Sequence, residues 1–175
     1  MAGTAWTART GPGGYAAVRE AIATAPPGSV LVLAGEGHLD HAIWGEVSTM
    51  LARRRGVVGV LVDGVVRDLS AIAAGELAVF ARGRTPCGPA PGVAGRVGGV
   101  VDCGGARVAP GDLVLGDDDG VVIVPASSTD AGLELARSAA QRERARLAEV
   151  RRGDSAAPRG SSSPRALSAE QRKEH

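Results

Sequence analysis

The 175-residue chain has few aromatic rings: Trp6, Tyr15, Trp44 and Phe80 are the whole set, which leaves little for stacking nucleic-acid bases. Net charge is also nearly absent, at +1 from 20 Lys+Arg and 19 Asp+Glu, so no long-range field gathers nucleic acid or an anionic membrane. Any anion recognition must therefore be local. The two cysteines, Cys87 and Cys103, have no C-x-x-C spacing, which argues against a zinc knuckle or redox pair and predicts reduced thiols. No apolar run approaches the roughly 18 residues of a membrane helix. Residues 1–15 show no apolar signal core, and the expected location is the cytoplasm. The phosphate-loop, dinucleotide-fingerprint and G-x-S-x-G patterns are missing, so ATP, NAD and serine-hydrolase readings have no support. What remains is a chain that is 44% hydrophobic, enough for one core, whose partner is a small ligand.

Composition shifts near Gly153, and residues 153–175, rich in Ser, Pro and Arg, are expected to be a disordered tail after a domain spanning residues 1–152. Ser127 to Arg152 reads as a long helix, with Leu133, Ala136, Ala140, Leu147 and Val150 near helical spacing and Arg residues on a solvated face. Upstream, Ser29–Ala34 and Val57–Val62 are short β-branched runs, apolar on both faces, as in buried strands. Between them Ile43, Val47, Met50 and Leu51 are expected on the inward face of a helix that Gly56 ends, which makes a βαβ unit. Further strands are expected at Leu77–Ala81, Val97–Asp102, Asp112–Gly116 and Val121–Val124, the last two joined through Asp117-Asp118-Asp119-Gly120. A parallel unit followed by hairpins predicts α/β or α+β layers.

Two stretches stand out chemically. Gly45-Glu46-Val47-Ser48 either opens the helix, offering unpaired amides to a carboxylate or phosphate, or lies inside a helix begun near Asp40, where Gly45 serves packing alone. Asp63-Gly64-Val65-Val66-Arg67-Asp68 follows a buried strand, where ligands gather in parallel α/β units. There Arg67 can grip a carboxylate with two parallel hydrogen bonds and Asp68 can offer oxygen to a hard cation; the alternative is an exposed ion pair. His38, Asp40 and His41 lack a complementary ligand set and read as solvated loop residues. Asp117 to Asp119 lack Ca²⁺-loop spacing and read as a polar turn.

The blocks APPGSVLVLAGEG, AIWGEVSTMLARRRGVVGVLVDGVVRD, VFARGRTPCGP and VAPGDLVLGDDDGVVIVP closely resemble the RraA-like family, from about Ala5 to Pro125. That family holds class II 4-hydroxy-4-methyl-2-oxoglutarate aldolases, which also decarboxylate oxaloacetate, and regulators of ribonuclease activity. The resemblance implies a swivelling β/β/α fold, assembled as a homotrimer or a hexamer of two trimers with sites between subunits. It implies that Gly45, Glu46, Val47 and Ser48 bind the carboxylate of a 2-oxo acid substrate, that Arg67 binds the same substrate, and that Asp68 ligates Mg²⁺ or Mn²⁺. Catalysis would then rest on Arg67 and Asp68, in a metal-dependent lyase that passes through a pyruvate enolate. Two departures accompany it. Ala71 stands where the aldolases carry an acidic residue, as in regulator-type members, which leaves a ribonuclease E-type regulator or a degenerate paralogue as the second reading. The family's N-terminal helical segment has no counterpart ahead of GTAWTART.

Overall fold

Ser29–His38 forms a strand whose alternate side chains face two apolar layers: Leu31 and Leu33 join one cluster, Val30, Val32 and Ala34 the other. A strand buried on both faces reads as a continuous apolar run rather than an alternating one, as SVLVLA does. The computed structural model describes residues 1–153. Beyond Gly153, the tail expected to be disordered lies outside the described residues.

The chain divides into two units, Met1–Gly132 and the part from Leu133 onward. In the first, the order is β1 (Ala2–Thr10), α1 (Ala16–Thr24), β2 (Ser29–His38), α2 (Glu46–Arg54), β3 (Gly59–Val66), α3 (Leu69–Ala73), β4 (Ala78–Arg84), β5 (Gly95–Val97), β6 (Val101–Cys103), β7 (Ala106–Val108), β8 (Leu113–Asp117) and β9 (Gly120–Val124). The main sheet runs β4-β3-β2-β1-β8-β9, with β5 also paired to β1, and β6-β7 forms a separate hairpin. Strands β1 to β4 are parallel, whereas β5 and β8 lie antiparallel to β1. One face packs under the helices through Val18, Ile22, Ala52 and Ile72, and the other under β6 and β7 through Val101, Cys103 and Val108. Hairpin, sheet and helices are thus the three layers of a β/β/α architecture.

The βαβ unit β2-α2-β3 is present, with Gly56 in the left-handed region (φ 76°) just beyond the helix end. The inward face of α2, however, is not the expected one. The helix begins at Glu46, so Ile43 precedes it; Val47, Met50 and Leu51 are exposed, while Ser48, Thr49 and Ala52 are buried. Small and hydroxylated side chains win the inward face because Thr49 Oγ1 accepts from buried Trp44 Nε1 (2.9 Å) and donates to the Gly45 carbonyl (3.0 Å). The expected strand over Val97–Asp102 is broken at Gly98 and Gly99, both at positive φ, so that β5 joins the main sheet and β6 the hairpin. The turn at Asp117–Gly120 joins β8 to β9 as expected. The strand β1 escaped the sequence pattern because Ala and Thr make up most of it and give weak apolar contrast.

The long C-terminal helix is a 3-10 turn at Ala126–Ser128 followed by α4, Thr129–Arg152. None of its residues is buried; Leu133, Leu147 and Val150 are exposed.

Candidate functional site

The end of β3 is tied to the approach to α2 by backbone bonds. Ile43 N–H donates to Val65 O (3.2 Å), Arg67 N–H donates to Trp44 O (3.0 Å), and Trp44 and Val66 form an isolated parallel bridge. These ties bring the carboxyl end of a parallel strand beside a helix N-terminus. Gly45 is the residue before the first helical position, in extended backbone, and Thr49 N–H donates to its carbonyl (3.0 Å). Of the two readings of the Gly45 segment, the structure therefore has α2 opening at Glu46.

The absence of a side chain at Gly45 has a local reason. A Cβ there would lie 2.6 Å from Asp68 Oδ2 and 3.1 Å from Arg67 Cγ. With that space open, Glu46 N–H donates to Asp68 Oδ2 at 3.1 Å, and Arg67 Nε stands 3.5 Å from the same oxygen. Asp68 sits in left-handed backbone (φ 58°, ψ 38°), which turns the chain from β3 into α3; Asp tolerates this region better than most residues do. Both side chains remain available, at 44% and 39% exposed, so their mutual attraction is worth only about 0–1 kcal/mol.

A cleft of about 310 Å³ opens here, lined among others by Gly45, Val47, Ser48, Arg67 and Asp68. Five of the six site residues expected from the sequence thus share one wall, and Glu46 reaches it through its amide. Sequence reasoning missed Tyr15, Trp44 and Pro89, which line the cleft together with Ala42 and Ile43. Tyr15 immediately precedes α1, and its hydroxyl lies 2.9 Å from Ser48 Oγ. Its only sequence signal was a lone tyrosine after the glycine-rich GPGG. Pro89 is carried by a loop pinned through Ala42 N–H to Cys87 O (3.0 Å), Ala90 N–H to Gly13 O (2.9 Å) and His41 Nδ1 with Gly88 O (2.9 Å).

The weaker candidates stay apart from this cleft. His38 and His41 stack with ring centroids 5.6 Å apart, and no group of three or more ligating side chains occurs among the described residues. Asp117 Oδ1 accepts from Asp119 N–H (3.0 Å), a polar turn as expected. Cys87 and Cys103 are both free. Cys103 borders a second cleft, of about 290 Å³, on the hairpin side of the sheet with Asp63, Phe80 and Arg82. Burial, and secondarily the Asp63 carboxylate, pushes its thiol from 9.0 up to about 12. No helix among the described residues is long and apolar enough to cross a membrane.

This architecture and sequence have counterparts. The family profile described as RraA-like, Aldolase/RraA, matches residues 1–123. A protein of Halalkalibacterium halodurans named as a candidate 4-hydroxy-4-methyl-2-oxoglutarate aldolase is 34% identical over 137 residues, 78% of this chain and 65% of that protein. This chain thus spans slightly less than two thirds of that relative's length. Among solved structures, the RNA-processing inhibitor RraA from a Thermus species is 31% identical with TM-score 0.66, over 71% of this chain and 75% of that one. Streptomyces coelicolor RraAS2, described as an unusual member of the RNase ES inhibitor RraA family, is 28% identical with TM-score 0.75, over 82% and 74%. Aldolase and ribonuclease-inhibitor names therefore meet on one fold, and the chain belongs to the RraA-like family.

Proposed function

We propose that the protein is a divalent-metal-dependent carbon–carbon lyase acting on pyruvyl substrates, by aldol cleavage of 4-hydroxy-4-methyl-2-oxoglutarate and by decarboxylation of oxaloacetate. The observation that carries this reading is the close approach at Gly45, which sets the first amide of α2, the Arg67 guanidinium and the Asp68 carboxylate at one cleft. A guanidinium beside a helix N-terminus is a receptor for a carboxylate: the planar fork supplies two parallel donors and the first-turn amides supply more. Arg67 with the Val47 and Ser48 amides would hold the pyruvyl carboxylate in this way, while the Glu46 amide orients Asp68.

Asp68 is the only carboxylate side chain lining the cleft among the described residues, and it is partly exposed. One carboxylate without a closed ligand cluster fits Mg²⁺ or Mn²⁺, hard ions that keep several waters, better than a closed zinc site. When bound, such an ion supplies Lewis-acid polarisation of the keto oxygen. Arg67 and the α2 amides face the negative charge that spreads over the pyruvyl unit as the C–C bond breaks, an electrostatic effect worth several kcal/mol in a water-poor site. Buried Trp44 and Ser48 close the back of the cleft against water. Both reactions release the same pyruvate enolate, so one site serves both.

Oxaloacetate decarboxylation measured with Mg²⁺ and with EDTA tests the reading. Pyruvate formation that EDTA suppresses is expected, and equal rates in both would refute it. Ala71, in α3 three residues after Asp68, favours a second reading: a non-catalytic regulator of a ribonuclease E-type enzyme. We further propose a cytoplasmic homotrimer or hexamer of two trimers, supported by the exposed apolar side chains of Val47, Met50 and Leu51 on α2. Sedimentation of the full chain tests that assembly, and a monomer at micromolar concentration would exclude it.

A further inference from the structure

We propose that Tyr15 is the proton donor to carbon in this cleft, protonating C3 of the pyruvate enolate while Ser48 steadies the phenolate; this rests on the lyase reading above. Either reaction leaves an enolate that must gain a proton before pyruvate departs. Among the described residues lining the cleft, the candidates to give one are few. Arg67 keeps its protons and Asp68 is an acceptor. Trp44 turns its indole N–H away to Thr49 Oγ1 at 2.9 Å. The rest of the lining is glycine, proline or apolar apart from Ser48 and Tyr15, whose oxygens lie 2.9 Å apart. A serine hydroxyl is a far weaker acid than a phenol, so the tyrosine gives the proton and the serine supports it.

The placement of Tyr15 provides for its return to the neutral state. Ser48 is only 4% exposed and stands at the third helical position of α2, on the inner wall. Tyr15 is half-buried and borders, besides this cleft, a second open depression lined by Arg19, Ala90 and Val93. In the step, the C2–C3 double-bond pair of the enolate forms the new C3–H bond as the Tyr15 O–H bond breaks. The enolate oxygen's electrons restore the C2 keto group. Ser48 Oγ–H donates a hydrogen bond to the phenolate oxygen, and water on the open side returns the proton to Tyr15.

The reverse step exchanges the methyl protons of pyruvate, so the test is NMR of pyruvate in D₂O with the full chain and Mg²⁺, alongside pyruvate affinity by calorimetry. Tyr15→Phe should slow the exchange about a hundredfold while keeping pyruvate affinity and the circular dichroism of the wild type. Ser48→Ala removes the hydroxyl but keeps the backbone amide offered to the carboxylate, so it should give a smaller fall in exchange with affinity kept, and it decides the matter should Tyr15→Phe not fold. Wild-type exchange in both variants, or a loss of affinity that matches the loss of exchange, overturns the proposal. Pyruvate binding by the wild type without exchange also overturns it. Absence of any pyruvate binding is a different outcome, since it removes the lyase reading itself.

Discussion

Two aspartates five residues apart, Asp63 and Asp68, each pair with an arginine, and the two pairs behave in opposite ways. Asp63, inside β3, is 8% exposed and accepts from Arg82 Nε at 2.5 Å, on the sheet face that carries the β6-β7 hairpin. Asp68, just past the end of β3, is 39% exposed and stands 3.5 Å from Arg67 Nε. The first pair neutralises a carboxylate that β3 has buried, and removing one partner leaves the other uncompensated. The second is loose and wet, so its groups are not used up on each other. An acid–base pair in a structure is therefore a candidate site when its geometry is poor and its surroundings are concave, not when its contact is short.

The widest separation between the two should come from alanine at each aspartate. Asp68→Ala is expected to reduce metal-dependent oxaloacetate turnover at least about a hundredfold, with thermal stability nearly unchanged because an exposed loop carboxylate contributes about 0–1 kcal/mol. Retained turnover at saturating Mg²⁺ would place the metal elsewhere. Asp63→Ala should do the reverse, costing about 2–3 kcal/mol in urea denaturation, below the usual penalty for a buried pair because Arg82 is 46% exposed, with pyruvate affinity kept. A stability change under about 0.5 kcal/mol would show that the tight pair contributes no more than the loose one.

Sharper still is Arg67→Lys, which keeps the charge and loses the fork. Oxalate, a mimic of the pyruvate enolate, should bind about 2 kcal/mol more weakly by calorimetry with Mg²⁺ present. Equal affinities in wild type and variant would reduce Arg67 to a surface partner of Asp68.

The smallest effect concerns the cysteines. Iodoacetamide at about pH 8 should label exposed Cys87 in the folded chain and reach Cys103 only after unfolding, since the thiolate is the reacting form. Because the folded chain holds the Cys103 proton up to about 12 and the unfolded thiol releases it near 9.0, this stability contribution is complete below pH 9 and falls as pH rises toward 12. Melting curves across that range should decline less steeply in Cys103→Ala. Labelling of both thiols in native protein would show that the hairpin opens readily.

Much of this was legible in the residues, and the failures have physical causes. SVLVLA and VVGVLV announced buried strands because burial on both faces leaves an uninterrupted apolar signature. The Gly45 segment and Arg67-Asp68 were visible as two polar stretches, but their meeting was not, since it depends on Ile43 and Trp44 bonding to the end of β3. The inward face of α2 was misjudged because Thr49 satisfies Trp44 and Gly45 there, a tertiary arrangement that hydropathy does not record. Tyr15 was invisible for the same reason: it meets Ser48, 33 positions further along, only once the chain between them has folded.

The α2 entrance has a consequence for how such a chain can change over generations. An amide is encoded at every position except proline, so substitutions at Glu46 or Val47 rewrite the outer surface of the helix and leave its donors in place. At Gly45 a Cβ would lie 2.6 Å from Asp68 Oδ2, so a larger residue there would push the Asp68 carboxylate aside. Such a chain can therefore acquire new outward-facing side chains while the backbone amides of the first turn stay in place.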